Sequence, residues 1–417
     1  MGPVPPPNVP LDCCAIISRP NSALVSPSAV RTLVLYARRV PGLRGSLVET
    51  LGARIGALKE VGKARSWMGK LLPWLDRNAY DSLSYVNDWL QAFREARDLT
   101  TTALNITDLW QLAKAGVTLK GFDLIVILHS AAGDDLSALR WLAPALKDRK
   151  SPLVIFFGNE YTRMPEKIGF ARAVAADYVA SQLPPAAAQW LYEEIPGTRL
   201  IHAPHALNPM RYYPMGVPRD VSIGFRGDRY PLWIGDTART RLIEWFAMHG
   251  QQHGLAVDIQ FRREPGEKWN RFLNGCHGII GAESGTAFLE RDDRTQRAVD
   301  TYLAAHPHAT FEAVYEQFFR DYGQPVSGKA ISSRHFEPIG TRTCQILLEG
   351  AYNGLLTADR HYLAVRSDFS NLEEVVTRFQ DPSIRLQISE AAWEHVQARH
   401  TYAHRVSEIL KTIEPIL

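Results

Sequence analysis

The sequence is poor in cysteine and lacks long hydrophobic runs. Only four of the 417 residues are cysteine, and none shows the CxxC or Cys/His spacing typical of metal ligands. The cysteines therefore fit a reducing compartment better than a disulfide framework. No apolar stretch reaches the roughly 18–20 residues that a membrane-spanning helix requires. From these absences we expect a cytoplasmic protein without a cysteine-based metal site.

An excess of charge of one sign is also lacking. Lys and Arg number 47 against 44 Asp and Glu, and the net charge of +3 is too small to indicate a nucleic-acid partner. No recognised nucleic-acid-binding motif occurs either, so we expect none. Residues 1–28, which begin MGPVPPPNVPLDCC, have neither the basic nor the apolar region of a signal peptide. We predict that they form a Pro-rich irregular tail.

What is present is an alternation of strand-like and helix-like segments in a chain long enough for two domains. The residues are 46% hydrophobic and 22% charged, which is ordinary for a globular protein. Short apolar runs separated by amphipathic stretches predict a parallel, doubly wound sheet. The predicted strands of the first half are 32–37, 122–128, 153–157, 177–181 and 199–202. Such sheets bind ligands outside the carboxyl ends of their strands, where His129, Asn159 and Glu160 lie.

A stretch with three prolines, APHALNPMRYYP at 203–214, interrupts this pattern, and a second α/β unit starts at Asp220. Its predicted strands are 221–225, 257–261, 278–280 and 344–348. We place the domain break between Ala203 and Asp220. In this unit a strand leads into the loop RGDRY (226–230) and then into a helix that carries Arg239. The loop is neither a Walker loop nor a GxGxxG fingerprint. Arginine pairs bidentately with phosphate, so this arginine-bearing loop and helix start indicate a diphosphate site. Local ion pairing is the alternative.

The stretch KAISSRHFEPIGTRTCQILLE, residues 329–349, predicts a short helix followed by a buried strand. Ser332 and Ser333 are good N-cap residues. Proline lacks an N–H and clashes with the preceding turn, so Pro338 is expected to hold Glu337 at or near the first turn.

Positive charge surrounds this predicted helix start. Helix N-termini bind anions, and Lys329, Arg334 and His335 add donors and positive charge beside this one. The pattern indicates a phosphate site with one carboxylate, that of Glu337, left to take hydroxyls. A capped helix with an exposed glutamate is the alternative.

The runs HFEPIGTRTCQILLEGAYNGLL (335–356) and HYLAVRSDFSN (361–371) resemble the donor-site half of a GT-B glycosyltransferase of the retaining family 4 type. The resemblance implies two Rossmann-like, doubly wound parallel-sheet domains that face each other across a cleft. It divides the chain into an N-terminal acceptor domain (29–207), a C-terminal donor domain (208–397) and a final helix (398–417) that can cross back to the first domain.

The resemblance also implies an activity. A sugar would pass from a nucleotide-diphosphate donor to an acceptor hydroxyl on a glycan, a lipid-linked molecule or a small molecule. The reaction would be retaining, need no metal or cofactor, and belong to polysaccharide biosynthesis. Glu337 matches the family's ribose-binding glutamate. The family's partner acid eight positions earlier is replaced by Lys329, so the paired-glutamate motif is incomplete and Lys329 or Arg334 would face the diphosphate.

Candidate site residues fall into three groups. Catalytic candidates are His129, Lys329 and Arg334, although a buried structural role is the alternative for His129. Asn159, Glu160 and His205 are expected on the acceptor side. The expected donor-site residues are Arg226, Gly227, Arg229, Arg239, Glu283, Ser284, Ser332, Glu337 and Thr341.

Other interpretations stay open at the level of sequence. Residues 31–80 hold ten basic and three acidic residues, a balance of +7, with Trp67 and Trp74 nearby. A basic amphipathic helix in the segment 38–77 could rest on an anionic membrane surface, or could pack on the sheet with a solvated basic face. The chain could also be a nucleotide-sugar epimerase, or a non-catalytic nucleotide-binding protein of the same shape.

Overall fold

The computed structural model describes residues 29–38, 84–264, 266–323 and 325–414. The predicted tail 1–28, and the membrane contact predicted for segment 38–77 apart from Arg38, lie outside the described residues. None of the helices within these ranges is both long and apolar enough to cross a membrane.

The described part of the first domain is one parallel sheet with helices on both faces. Its strands are β1 (Val30–Tyr36), β2 (Leu99–Asn105), β3 (Leu124–Ile127), β4 (Leu153–Ile155), β5 (Tyr178–Ser181) and β6 (Arg199–His202). Its helices are α1 (Ser84–Glu95), α2 (Leu109–Thr118), α3 (Ser137–Lys147), α4 (Met164–Ala173) and α5 (Pro185–Tyr192). A short 3-10 turn, Leu119–Gly121, precedes β3. All four side chains of β3 (LIVI) are buried, as expected where helices cover both faces of a sheet.

The second domain repeats this plan. Its strands are β7 (Val221–Arg226), β8 (Val257–Gln260), β9 (Cys276–Gly281), β10 (Cys344–Leu348) and β11 (Leu363–Val365). Its helices are α6 (Ala238–His249), α7 (Gly266–Gly275), α8 (Arg294–Ala305), α9 (Phe311–Phe318), α10 (Ser333–Gly340), α11 (Leu372–Gln380) and α12 (Pro382–Arg399), and α13 (Tyr402–Ile413) ends the described chain. Three 3-10 turns, Leu232–Ile234, Gly250–His253 and Tyr352–Gly354, lie between these elements.

The two sheets share a strand order over five strands. The first runs β2-β1-β3-β4-β5-β6, and the second, read from its β8 edge, runs β8-β7-β9-β10-β11. Strand pairing is parallel in every ladder of both sheets. In each sheet the order of strand addition reverses between the first and third strands of its domain, which lie side by side, and ligands of such sheets bind outside the carboxyl ends at that point. His129 follows β3 in the first sheet, and Gly227 and Glu283 follow β7 and β9 in the second.

The hydrophobic cores change at the crossover between the domains. Ala203 and Ala206 lie in the core of the first domain, whereas Leu207 and Tyr212 lie in that of the second. Helix α13 returns to the first domain, where its side chains share a core with Trp89 of α1. Two separate parallel sheets confirm the predicted GT-B type of architecture.

Two local predictions need correction. Strand β2, sequence LTTTALN, was not predicted because its polar threonines give no apolar run; it lies at the edge of the sheet and pairs only with β1. Pro338 does not mark a helix start. It is the sixth of the eight residues of α10, so Glu337 lies in the second turn.

Candidate functional site

Helix α10 is fixed against the second sheet by its own third residue. The Ser332 N–H donates to Nδ1 of His335 at 3.0 Å, and Nε2 of that ring lies 3.0 Å from the carbonyl oxygen of Ala282, after β9. These partners fit the neutral tautomer with its proton on Nε2. Burial lowers the pKa of His335 to about 4. The prediction that His335 adds positive charge is therefore wrong, because the neutral ring anchors the helix start.

Three arginines from three elements converge beside this helix start. Arg334 is the second residue of α10, Arg239 is the second residue of α6, and Arg263 follows β8. Burial lowers the pKa of Arg334, and the charges of Arg263 and Arg239 add to that effect. The other two arginines share Asp228, whose carbonyl oxygen lies 3.2 Å from Nη2 of Arg239 and whose carboxylate lies 2.5 Å from Nε of Arg263.

Arg334 keeps an unused donor in this cluster. Its Nη1 is buried and has no hydrogen-bond partner, although 29% of the side chain is exposed. An unsatisfied buried donor costs free energy, of order 1–3 kcal/mol and more for a charged group. Three guanidinium groups, one unsatisfied donor and a helix N-terminus together form a site suited to an anion such as a diphosphate.

Glu337 lies one turn further along α10 and is only 2% exposed. Its Oε2 accepts a hydrogen bond from Nε1 of Trp269 on α7 at 2.6 Å and lies 3.9 Å from Nε of Arg334. The guanidinium of Arg334 stacks over the Trp269 ring, 4.2 Å from its centre. Carboxylate, indole and guanidinium therefore hold one another in place. A ligand hydroxyl can reach this carboxylate only after a covering side chain moves.

A second carboxylate, that of Asp88 on α1, is buried close enough to Glu337 to interact with it. Oδ1 of Asp88 accepts from Nδ2 of Asn208 at 2.7 Å and lies 3.3 Å from Nε of Arg211. The pKa of Asp88 is raised to about 7, chiefly by burial and also by the charge of Glu337, while Arg211 and Asn208 oppose the shift. Through these interactions Asp88 connects α1 of the first domain with the crossover and with α10.

The raised pKa of Asp88 gives a testable dependence of stability on pH. Between pH 4 and pH 7 the folded protein keeps a proton on Asp88 that the unfolded chain loses, so this residue makes stability fall as pH rises. The shift corresponds to at most about 4 kcal/mol. We expect Asp88→Asn to be least favourable relative to wild type near pH 4.5 and most favourable near pH 8, in thermal melts across that range. The buried histidines affect wild type and Asp88→Asn equally. If the melting temperatures of the two proteins change in parallel across this pH range, the assignment is contradicted.

The loop after β7 lies close to Arg239. A Cβ on Gly227 would lie 3.2 Å from Nη2 of Arg239, so the absence of a side chain lets the loop approach the guanidinium closely. At the neighbouring strand end, Oε1 of Glu283 accepts from the Tyr352 N–H at 2.7 Å, and burial raises the pKa of Glu283.

The segment before α10 runs beside the end of β9. Ser284 and Ala330 exchange two backbone hydrogen bonds, of 2.9 and 2.8 Å. Lys329 points its Nζ at the carboxylate of Asp236, with which it forms an ion pair. Lys329 thus lies next to the candidate phosphate site, but its charge is matched by an acid of the α6 start.

His129 and His205 lie together in the first domain rather than at the arginine cluster. Their rings are 5.2 Å apart, and His129 also packs against Trp89 and Phe156. His129 is 2% exposed, neither ring nitrogen has a hydrogen-bond partner, and burial holds its pKa well below the usual range. His205 accepts from Nε1 of Trp89 at 3.4 Å, and burial lowers its pKa to about 3. Both rings are neutral at physiological pH.

Asn159 and Glu160, which were also predicted on the acceptor-substrate side, lie in the loop after β4. The carboxylate of Glu160 is buried, and both of its oxygens accept hydrogen bonds. Oε1 accepts from the hydroxyls of Ser181 and Tyr192 at 2.7 Å each, and Oε2 accepts from the Gln182 N–H at 2.8 Å. Asn159 donates to the carboxylate of Asp134 at 2.9 Å. The structure therefore shows Glu160 bracing the ends of β4 and β5.

Three predicted donor residues do not join the arginine cluster. Arg226 is buried in an ion pair with Asp258, Arg229 pairs with Glu244, and Thr341 is buried at the opposite end of α10. An eight-residue helix is about 12 Å long, so Thr341 lies well away from the N-terminus at Ser332.

The two domains contact each other through Asn353. Its Nδ2 donates to the carbonyl oxygen of Gln182, after β5, at 2.8 Å and lies 3.1 Å from Nε2 of His202 at the end of β6. Its Oδ1 accepts from the Ile331 N–H at 2.8 Å. The carboxyl edge of the first sheet therefore faces the start of α10.

Sequence reasoning did not identify Trp269, Asp88, Arg263 or Asn353 as site residues. Each reaches the site from a separate element, and no local motif marks them. Within the described ranges, no group of three His, Cys, Asp or Glu side chains is placed to hold a metal ion.

A family model described as "Glycosyl transferase-like" matches residues 287–411, which is under a third of the chain and includes α10. The match confirms the resemblance of the second domain to glycosyltransferases. No curated protein sequence matches the chain.

Solved structures show similarity over most of the chain at low identity. The protein HepE of Anabaena, solved with UDP and glucose, is 13% identical, with 93% of this chain and 100% of that chain covered at a TM-score of 0.48. An α,α-trehalose 6-phosphate synthase from Burkholderia multivorans is also 13% identical, with 93% and 98% covered at a TM-score of 0.42. At this sequence identity and TM-score, the bound ligands describe those proteins and not this chain.

Proposed function

We propose that the protein is a retaining glycosyltransferase that moves a sugar from a nucleoside-diphosphate donor to an acceptor hydroxyl without a metal or cofactor. The observation that carries the proposal is the cluster of Arg239, Arg263 and Arg334, with the unsatisfied Nη1 of Arg334, at the N-terminus of α10. The match of residues 287–411, which include Arg334 and α10, to a glycosyltransferase family model supports it.

The proposed chemistry follows from this placement. The acceptor oxygen bonds to the anomeric carbon while the bond from that carbon to the diphosphate oxygen breaks, and the hydroxyl proton leaves on the diphosphate. Negative charge grows on the diphosphate as the bond breaks. Arginine donors and a helix N-terminus that are already in place stabilise this charge, which is electrostatic preorganisation.

Residues around the cluster have distinct proposed roles. Glu337 would accept the ribose hydroxyls once Trp269 moves from its carboxylate. Gly227 and Ser284 would line the phosphates, and Lys329 would balance charge at Asp236. His129, at the reversal point of the first sheet, would contact a sugar hydroxyl through a ring nitrogen that lacks a partner.

Ligand-induced stabilisation tests the donor site. We expect one of UDP, GDP or TDP, or its sugar, to raise the melting temperature of the full chain, since a ligand at a hundred times its Kd adds about 2.7 kcal/mol to stability. With that donor and an acceptor, transfer should persist in EDTA, and NMR of the product should show the donor's anomeric configuration. A sugar isomer formed from donor alone would indicate an epimerase. Absence of any shift would contradict the proposal.

A further inference from the structure

A cavity of about 410 Å³ lies between α5 of the first domain and the segment that precedes α10 in the second. One wall consists of Ala186, Ala187 and Trp190 of α5, and Val326 lies on the opposite wall. These side chains are apolar. The cavity is within the volume range of about 300–1,000 Å³ that is typical of small-molecule sites.

The wall formed by Trp190 is held rigidly. The guanidinium of Arg291, from the second domain, stacks on the Trp190 ring at 4.2 Å, and its Nε donates to the Trp190 carbonyl oxygen at 3.0 Å. Arg291 also pairs with Glu193 and Glu194 beyond the end of α5. Arg291 of the second domain therefore holds the Trp190 wall of the cavity in place.

Two charged side chains also line the cavity. Glu283 and Lys329 both line it, and both lie in the second domain next to the candidate phosphate site. Glu283 is held by the Tyr352 N–H, and Lys329 by the carboxylate of Asp236. A ligand here meets the carboxylate of Glu283 and the ammonium group of Lys329 as well as the apolar side chains of the walls.

We infer that this cavity binds the acceptor, and that the acceptor has an apolar body, alkyl or aryl, next to the hydroxyl that receives the sugar. The inference rests on the glycosyltransferase function proposed above. The hydroxyl lies at Glu283, and the body packs on Ala186, Trp190 and Val326. A bare sugar is disfavoured because its remaining hydroxyls would face these apolar walls without hydrogen-bond partners.

A matched pair of ligands and a matched pair of variants test the inference. Phenyl β-D-glucoside and methyl β-D-glucoside differ only in the apolar group, and the corresponding galactosides control for the sugar. With the nucleoside diphosphate that stabilises the protein present, we expect the full chain to bind the phenyl glycoside roughly tenfold tighter or more by calorimetry.

Ala186→Trp fills the cavity from an exposed position of α5, and should weaken binding of the phenyl glycoside roughly tenfold or more. Gln189→Trp adds the same side chain at an exposed position of α5 that does not line the cavity, and should leave binding unchanged. Ser327→Trp fills the cavity from the other wall and serves if Ala186→Trp fails to fold. Binding of the nucleoside diphosphate should be unaffected in all three.

The outcomes separate this inference from the proposed function. Equal binding of phenyl and methyl glycosides, no binding of either, or full binding to both cavity-filling variants would overturn the acceptor site while leaving the donor site intact. If no nucleoside diphosphate binds wild type, the proposed function fails. Selective phenyl-glycoside binding that the filling variants abolish supports the cavity assignment.

Discussion

Replacing Glu337 by glutamine should weaken binding of the nucleoside-diphosphate sugar by roughly ten- to a hundredfold. A hydrogen bond from a hydroxyl to a charged carboxylate contributes about 1.5–3 kcal/mol, and glutamine keeps the shape and one acceptor oxygen but loses the charge. Titration of donor into wild type and variant by calorimetry measures the loss directly.

The same substitution should change the stability of the ligand-free protein only slightly. Glutamine can still accept from Nε1 of Trp269 through its remaining carbonyl oxygen. Loss of the negative charge removes an attraction to Arg334 but also a repulsion of Asp88, and these effects oppose each other. The apo melting temperature should therefore stay close to that of wild type.

Glu390→Gln is the matched control for Glu337→Gln. Glu390 on α12 lies 3.0 Å from Arg342, whose guanidinium stacks on Trp393 at 4.2 Å, so the same trio of residue types occurs beyond the other end of α10. Donor affinity should not change in this control. If Glu337→Gln binds every nucleotide sugar as tightly as wild type, or unfolds the protein, Glu337 has only a structural role.

The alternation of apolar runs and amphipathic stretches carried most of the information about the fold. Strand β10 was predicted with its observed bounds, because CQILL is a run of buried side chains between a helix stop and a glycine. Strand β2 was missed because an edge strand needs fewer apolar residues than a central one, and threonine suits a half-buried pleat without producing a hydrophobic run.

Pro338 shows why a local rule can shift a helix boundary. The capping contact between Ser332 and His335 starts α10 at Ser333, five residues before the proline, and the hydrophobic packing of the helix outweighs one missing backbone hydrogen bond. That placement brought Glu337 inward against Trp269 instead of outward into solvent. Here tertiary contacts, which cannot be read from the sequence, outweighed the local helix propensity.

The candidate site combines residues that are far apart along the chain. Trp269 and Glu337 are 68 residues apart, and Asp88 reaches Asn208 across 120. Contacts of this kind depend on the strand order and on the crossover, so no spacing within one motif could have indicated them. The motif around α10 was visible because helix start, arginine and glutamate are adjacent in sequence.

Arg334→Ala should reduce turnover far more than donor affinity. The Nη1 donor has no partner in the free protein, and the negative charge that it can meet grows as the bond to the diphosphate breaks. Interactions that strengthen only in the transition state raise kcat rather than lower KM. Removing one such preorganised donor typically costs about 10²–10³ in kcat. Steady-state kinetics with varied donor should therefore show a large loss in kcat and a small change in donor KM.

Arg342→Ala and Arg334→Lys provide the controls for this result. Arg342 has the same stacking on tryptophan and the same pairing with glutamate as Arg334, but it lies beyond the opposite end of α10, so its loss should leave kcat unchanged while removing a comparable cation–π contact. Arg334→Lys keeps the charge without the planar fork and should recover part of the turnover. Equal losses in Arg334→Ala and Arg342→Ala would show that the effect comes from lost packing, and would remove Arg334 from the proposed diphosphate site.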